Sequence, residues 1–225
     1  MRTLAVLPVK AFGLAKQRLG DAVGADDRRS LARAMAGDVL EALGRVEGLE
    51  SVILVSAQRF EVEATPSSRR FSPARVEVVH DPEEVGQSAA AQRGVRAAVE
   101  RSAERVLLVP GDCPALDPAE VDALLAAPEA GVVIVPDRHG AGTNALLIAP
   151  PDAVEPAFGP GSFARHAALA HTAGARVRIG RLPSLELDVD TPDDLAALRV
   201  ALAARAGGAP RTRALLDRIP SAHVR

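Results

Sequence analysis

The chain contains no tryptophan, no tyrosine and only 5 phenylalanines. That removes the stacking aromatics on which binders of single-stranded nucleic acid rely. Its single cysteine, Cys113, excludes an internal disulfide framework. An excess of one charge is missing too: 27 Lys and Arg stand against 29 Asp and Glu, a formal net charge of -2, so no basic footprint for a phosphate polymer exists. No run is long and apolar enough to span a bilayer. The N-terminal stretch MRTLAVLPVKAFGLAK has neither the continuous apolar core nor the small-residue cleavage site of a signal peptide. These absences predict a cytoplasmic protein that binds neither nucleic acid nor membrane.

What is present is a chain of 225 residues, 48% hydrophobic and 25% charged, which suits one globular domain with a substantial core. That domain is expected over residues 1–206, with a partly ordered tail over 207–225 after the Gly-Gly-Ala-Pro break. Short β-like runs (TLAVLPV, SVILVS, VEVVH, RVLLVP, GVVIVP, NALLIAP, RVRIG) alternate with alanine-rich helical stretches. Continuous apolar runs suit strands buried on both faces, so the expectation is a three-layer α/β/α sandwich around a mostly parallel sheet. GVVIVPDRHGAGTNALLIAP leaves no room for a helix between its two strands, which predicts one antiparallel pair.

In such sheets ligands bind at the carboxyl ends of the strands. The segment LELDVDTPDDL at 185–195 is expected as a strand followed by a helix that starts at Thr191-Pro192. Period-2 alternation would put Glu186, Asp188 and Asp190 on one face. The segment alone leaves open a solvated edge strand or a site for a cation. After RVLLVP, Gly111 permits a turn that presents Asp112 at another strand end. Lys10, Lys16 and Arg18 follow the first strand, either as a phosphate cradle or as an ordinary solvated loop. The loop DRHGAGTNAL offers Thr143 and Asn144, and FGPGSFARH places Gly159, Gly161 and Ser162 before a helix, where Ser162 caps the helix, binds an anion, or both. Cys113 reads as a small packed residue, and His139 and His166 as structural or surface residues without metal-ligand spacing. Together, Asp112, Asp188 and Asp190 form a set of hard oxygen ligands suited to Mg²⁺.

The motifs LPVKAFGLAKQRL, VPGDCPAL, DRHGAGTNALL, FGPGSFARH and LELDVDTPDDL occur in that order over nearly the whole chain. This ordered set resembles the CofC/FbiD guanylyltransferases of coenzyme F420 biosynthesis. The resemblance implies a nucleotide-diphospho-sugar-transferase-like Rossmannoid fold related to the molybdenum-cofactor guanylyltransferases. It also implies transfer of GMP from GTP to a small phosphorylated three-carbon acid. The acceptor would be phosphoenolpyruvate in the actinobacterial branch and 2-phospho-L-lactate in archaeal relatives, with 3-phosphoglycerate a further candidate. By motif match, Thr143, Gly159 and Ser162 would bind the acceptor. Lys10, Gly86, Gln87, Ser88 and Gly111 would bind the nucleotide, Asp112, Asp188 and Asp190 would hold two Mg²⁺ ions, and Lys10, Lys16 and Arg18 would offset charge on the leaving pyrophosphate. The family's Gly-Leu-Asn-x-Ala segment stands here as Gly86-Gln87-Ser88-Ala89-Ala90. A different nucleotide or acceptor, a non-catalytic nucleotide-binding module and a glycosyltransferase are the rival readings, and the oligomeric state, a homodimer included, is left open.

Overall fold

In the computed structural model, residues 1–9, 16–20, 23–57, 75–127 and 131–219 are described. Among these residues, seven strands form one sheet in the order β3-β2-β1-β4-β6-β5-β7. They are β1 (Thr3–Val9), β2 (Ser51–Ser56), β3 (Val76–His80), β4 (Arg105–Leu108), β5 (Gly131–Pro136), β6 (Thr143–Ala149) and β7 (Val177–Ile179). The pairs β1–β2, β1–β4, β2–β3 and β5–β7 are parallel, while β6 runs antiparallel to both β4 and β5. The mostly parallel sheet and the antiparallel β5–β6 pair are as expected.

The apolar runs are buried on both faces, which is why they read as continuous rather than alternating. Ala5, Leu7 and Val9 of β1 join the cluster formed with α1 (Ala25–Leu43) and α3 (Pro118–Leu125). Leu4 and Val6 point the other way, towards α2 (Gln87–Glu100) and α4 (Ser162–Thr172). A third cluster joins Leu31 and Met35 of α1 to α5 (Pro192–Ala203) and α6 (Pro210–Leu216).

One expectation changes. Residues 185–190 form no strand among the described residues: Leu185 and Glu186 close a turn on the Leu182 carbonyl at 2.8 and 3.1 Å, and beyond it Val189 N–H donates to the Asp112 carbonyl at 3.1 Å and Arg138 N–H to the Glu186 carbonyl at 2.8 Å without a continuing ladder. Alternation fixes which side chains face inward, here Leu185 and Val189, but a ladder also needs a neighbouring strand edge. The tail after Gly207 carries α6, whose Thr212 and Leu216 are buried. Its anchor is a buried carboxylate of α1, since Asp38 accepts the backbone N–H groups of Thr212 at 2.7 Å and Arg211 at 3.2 Å. Residues 220–225 lie outside the described set.

Helix α2 approaches the sheet closely at Gly94, where an added Cβ would lie 2.3 Å from Val6 Cγ1 and 3.0 Å from Val55 Cγ2. Gly94→Ala would gain about 1 kcal/mol in helix propensity and lose roughly 1–3 kcal/mol, or more at so short a contact, to overpacking. We expect a net fall in unfolding free energy in urea at unchanged m-value. A variant as stable as the parent would show that α2 can lift off the sheet without cost.

Candidate active site

The strand order reverses at β1 and β4, so the loops leaving their carboxyl ends diverge and open a crevice at that edge. Because β6 is antiparallel to β4 and β5, its first residues reach the same edge. A β-bulge shapes this end: Val135 pairs with Ala145 and Pro136 with Thr143, which leaves Asn144 as the extra residue. The bulge turns Thr143 towards α4 and frees Asn144 to reach the acidic segment. Asn144 Nδ2 donates to Asp188 Oδ1 at 3.2 Å.

Asp112, Asp188 and Asp190 converge here, each offering a carboxylate oxygen within 4.8 Å of the others. The Val189-to-Asp112 backbone bond sets this register, placing the residues on either side of Val189 beside Asp112. Asp190 is held from behind by the helix start that follows it: Asp194 Oδ2 accepts the N–H groups of Asp190 at 3.1 Å and Thr191 at 2.8 Å. Burial would raise the Asp194 pKa. The bonds from Thr191 and Asp190, with an ion pair to Arg138, outweigh it and hold the carboxyl below its ordinary value.

One lysine counters this charge. Lys16 Nζ lies 2.5 Å from Asp112 Oδ2 and 2.9 Å from Asp190 Oδ1, with its side chain only 8% exposed. Its backbone φ of 58° is left-handed, a conformation that costs a residue with a Cβ roughly 1–2 kcal/mol. Burial disfavours the ammonium, but Asp112 and Asp190 outweigh it and keep the Lys16 pKa above its ordinary value. Arg18 is exposed, with Nη1 3.9 Å from Asp190 Oδ2, where solvent screens it. Among the described residues the cluster therefore carries more negative than positive charge. Asp188 registers the excess: burial first and the Asp112 charge second push its carboxyl up to about 6. Among the described residues, Asp112 Oδ1 is buried without a hydrogen-bond partner. An unpaired buried oxygen amid surplus negative charge is what a divalent cation would satisfy.

Beside the acids lies a cradle of different chemistry. Gly159 (φ 110°) and Gly161 (φ 71°) both adopt left-handed backbone, and an added Cβ at either would meet nothing within 4 Å, so a ligand can approach the main chain. The N-cap of α4 is Gly161, so Ser162 is the first helical residue and does not cap the helix. Phe163 N–H donates to the Ala141 carbonyl at 3.2 Å, which docks the α4 start onto the β5–β6 loop. Thr143 Oγ1 lies 3.0 Å from Nδ1 of His166, whose Nε2 accepts the Ala157 N–H at 2.9 Å. Burial, aided by the Arg165 charge, lowers the His166 pKa to about 4.

The structure thus gathers Lys16, Arg18, Asp112, Asp188 and Asp190 in one cluster and sets Thr143, Gly159 and Ser162 alongside it. Lys10 lies outside the described residues. Gly86 is the N-cap of α2, and Ser88 Oγ donates to the Phe158 carbonyl at 3.3 Å, tying α2 to the cradle loop. Gly111 has a packing role, since an added Cβ would lie 3.3 Å from the Ala36 Cβ of α1. Cys113 is fully buried with its thiol pKa pushed up by burial, and His139 is exposed. Asn144 as the partner of Asp188, and His166 as the link between Thr143 and Ala157, were not identified from sequence, because a bulge register leaves no mark in hydrophobic patterning.

Comparison with known proteins follows the same residues. A family model described as guanylyl transferase CofC like matches residues 3–204. The chain belongs to this family. It is 49% identical over 223 residues to the phosphoenolpyruvate guanylyltransferase of Conexibacter woesei, covering 97% of each chain. To the enzyme of the same name from Sphaerobacter thermophilus it is 41% identical over 196 residues, covering 87% of this chain and 91% of that one. In structure it is similar to a protein assigned as a nucleotide-diphospho-sugar transferase from Desulfovibrio desulfuricans, with a TM-score of 0.69 at 19% identity over 97% of this chain and 99% of that one. The fold is therefore the nucleotide-diphospho-sugar-transferase-like one expected from the motifs.

The buried His166 gives a pH prediction. With the folded pKa at about 4 and the ordinary value near 6.5, the unfolded chain takes up a proton that the folded chain refuses. Stability from this group is present above pH 6.5 and declines as pH falls towards 4. Asp188, raised to about 6, acts in the opposite sense over the lower part of that window, so the readable quantity is a difference. The gap in unfolding free energy between the parent and His166→Gln should narrow between pH 6.5 and 4.5. A constant gap would place a charged imidazole in the folded state.

Proposed function

We propose that this chain transfers the guanylyl group of GTP to phosphoenolpyruvate, forming enolpyruvyl-2-diphospho-5'-guanosine and pyrophosphate, with Mg²⁺ held by Asp112, Asp188 and Asp190. The observation that carries the reading is the convergence of three carboxylates, one with an unpartnered buried oxygen, at the same edge as the Thr143, Gly159 and Ser162 cradle. The two family members at 49% and 41% identity, both phosphoenolpyruvate guanylyltransferases, support the choice of nucleotide and acceptor.

An oxygen of the acceptor phosphate, ionised at neutral pH, attacks the α-phosphorus of GTP. The bond from that phosphorus to the α,β-bridging oxygen breaks, and pyrophosphate departs with the electron pair. The nucleophile needs no deprotonation, so positioning and charge neutralisation supply the catalysis and no general base is required. When bound, Mg²⁺ would neutralise phosphate charge that otherwise keeps two polyanions apart. Thr143, with Gly159 and Ser162 at the start of α4, receives the acceptor's anionic groups, which the positive end of the helix dipole favours. Lys16 and Arg18, together with Lys10, offset charge on the departing pyrophosphate. The start of α2 at Gly86, Gln87 and Ser88, with Gly111 at the end of β4, takes the nucleotide.

The test is pyrophosphate release in Mg²⁺ with each of GTP, ATP and CTP against phosphoenolpyruvate, 2-phospho-L-lactate and 3-phosphoglycerate. Release with GTP and phosphoenolpyruvate is expected; turnover with another pair instead, or with none, contradicts the reading. Asp190→Ala should lower kcat/KM by about 100-fold or more while circular dichroism and the melting temperature show a folded chain. Activity within a few-fold of the parent would remove Asp190 from the metal set.

A further inference from the structure

The Thr143 side chain can act on an anion only through its hydroxyl proton, and the structure shows what directs that proton. The His166 ring is fully buried on α4 and both its nitrogens are engaged. Nε2 takes the Ala157 N–H at 2.9 Å, and a backbone amide can only donate, so Nε2 carries no proton. A neutral imidazole then has its one hydrogen on Nδ1, which faces Thr143 Oγ1 at 3.0 Å. Oγ1 is thereby an acceptor towards the ring, and its own hydrogen must rotate away from it.

We propose that His166 is a positioning residue: by donating from Nδ1 to Thr143, it fixes the Thr143 hydroxyl as a hydrogen-bond donor towards the phosphate or carboxylate of the acceptor. The proposal rests on the reading of Thr143 as an acceptor contact and deepens it. It makes the site selective in sign, because a threonine held as a donor binds an oxyanion and gains nothing from a ligand group that can only donate.

The same ring joins the two halves of the cradle. Thr143 begins β6, whereas Ala157 belongs to the loop that carries Gly159 and leads into α4. That loop is gripped again by Arg165, whose Nη1 and Nη2 donate to the Ala157 and Pro160 carbonyls at 2.8 Å each. The Phe158 ring stands edge-on to His166, with centroids 5.1 Å apart and planes at 74°. The low imidazole pKa agrees with the neutral ring required by the geometry.

The experiment separates the two hydrogen bonds. In His166→Asn the amide N–H₂ falls near the place of Nδ1 and can still donate to Thr143. In His166→Gln the longer amide reaches the place of Nε2 and can accept from Ala157, but nothing donates to Thr143. Steady-state pyrophosphate release with GTP, phosphoenolpyruvate and Mg²⁺ should show the acceptor KM raised about 10-fold in His166→Gln, the GTP KM unchanged, and the acceptor KM restored to within about 3-fold in His166→Asn. Adding His166→Gln to Thr143→Val should cost nothing more. An unchanged acceptor KM in His166→Gln, or both KM values moving together in both variants, overturns the proposal.

Nitrogen-15 NMR of the full chain at pH 7 is the arm that does not depend on activity. The Nδ1–H tautomer is expected at His166, and an Nε2–H tautomer or an imidazolium overturns the proposal whatever the kinetics. A parent enzyme silent with this substrate pair would overturn the functional reading instead, and the tautomer would then decide the proposal alone.

Discussion

Three carboxylates with oxygens held within 4.8 Å of one another, and the one buried ammonium that the described residues place among them, are the constraint around which this molecule is arranged. Two unit charges about 4 Å apart interact by roughly 4 kcal/mol at an effective dielectric of 20, so the cluster would spread if its parts were free to move. Several devices prevent that. The Val189 bond to the Asp112 carbonyl fixes the register, Asn144 holds one oxygen of Asp188, and the Asp194 cap holds the backbone at Asp190. Arg138 secures Asp194 in turn and, through its own N–H, the Glu186 carbonyl. Lys16 accepts an unfavourable backbone conformation to place its ammonium between two of the acids. The remaining negative charge is the feature a cation and a phosphate-bearing substrate pair can use.

The rest of the edge divides the labour. The carboxylates attract cations, while the glycine-lined start of α4 and the Thr143 hydroxyl attract anions, and β6 touches both because its first turn of backbone carries a bulge. One extra residue in β6 thus lets Thr143 serve the cradle and Asn144 serve the acids. Ser88 extends the connection to α2, so the segment expected to take the nucleotide is hydrogen-bonded to the loop expected to take the acceptor.

Much of this was legible in the sequence, for identifiable reasons. Strands β1, β2 and β4 are buried on both faces, and such runs announce themselves as unbroken apolar stretches. The β5–β6 pair was legible because its loop is too short for a crossover. Asp112, Asp188 and Asp190 could be named because acids adjoining buried runs are costly and therefore conspicuous. The strand expected at 185–190 failed because alternation reports inward-facing side chains, whereas pairing depends on distant partners. The helix at the C-terminus was hidden because its anchors, Asp38 and Glu41 of α1, read in sequence as an ordinary polar helix face. The contacts of Asn144 with Asp188 and of His166 with Thr143 and Ala157 became visible only once β6 had its bulge and α4 its place.

A divalent cation bound by the three acids would relieve their mutual repulsion, and thermal unfolding with and without Mg²⁺ tests this most directly. The parent should melt higher in Mg²⁺, because a ligand that binds only the folded chain stabilises it by mass action. Asp188→Asn, with one negative charge fewer, should melt higher than the parent without metal and lose most of the Mg²⁺ shift. A metal-free Asp188→Asn chain that melts below the parent, with an Mg²⁺ shift equal to the parent's, would contradict it.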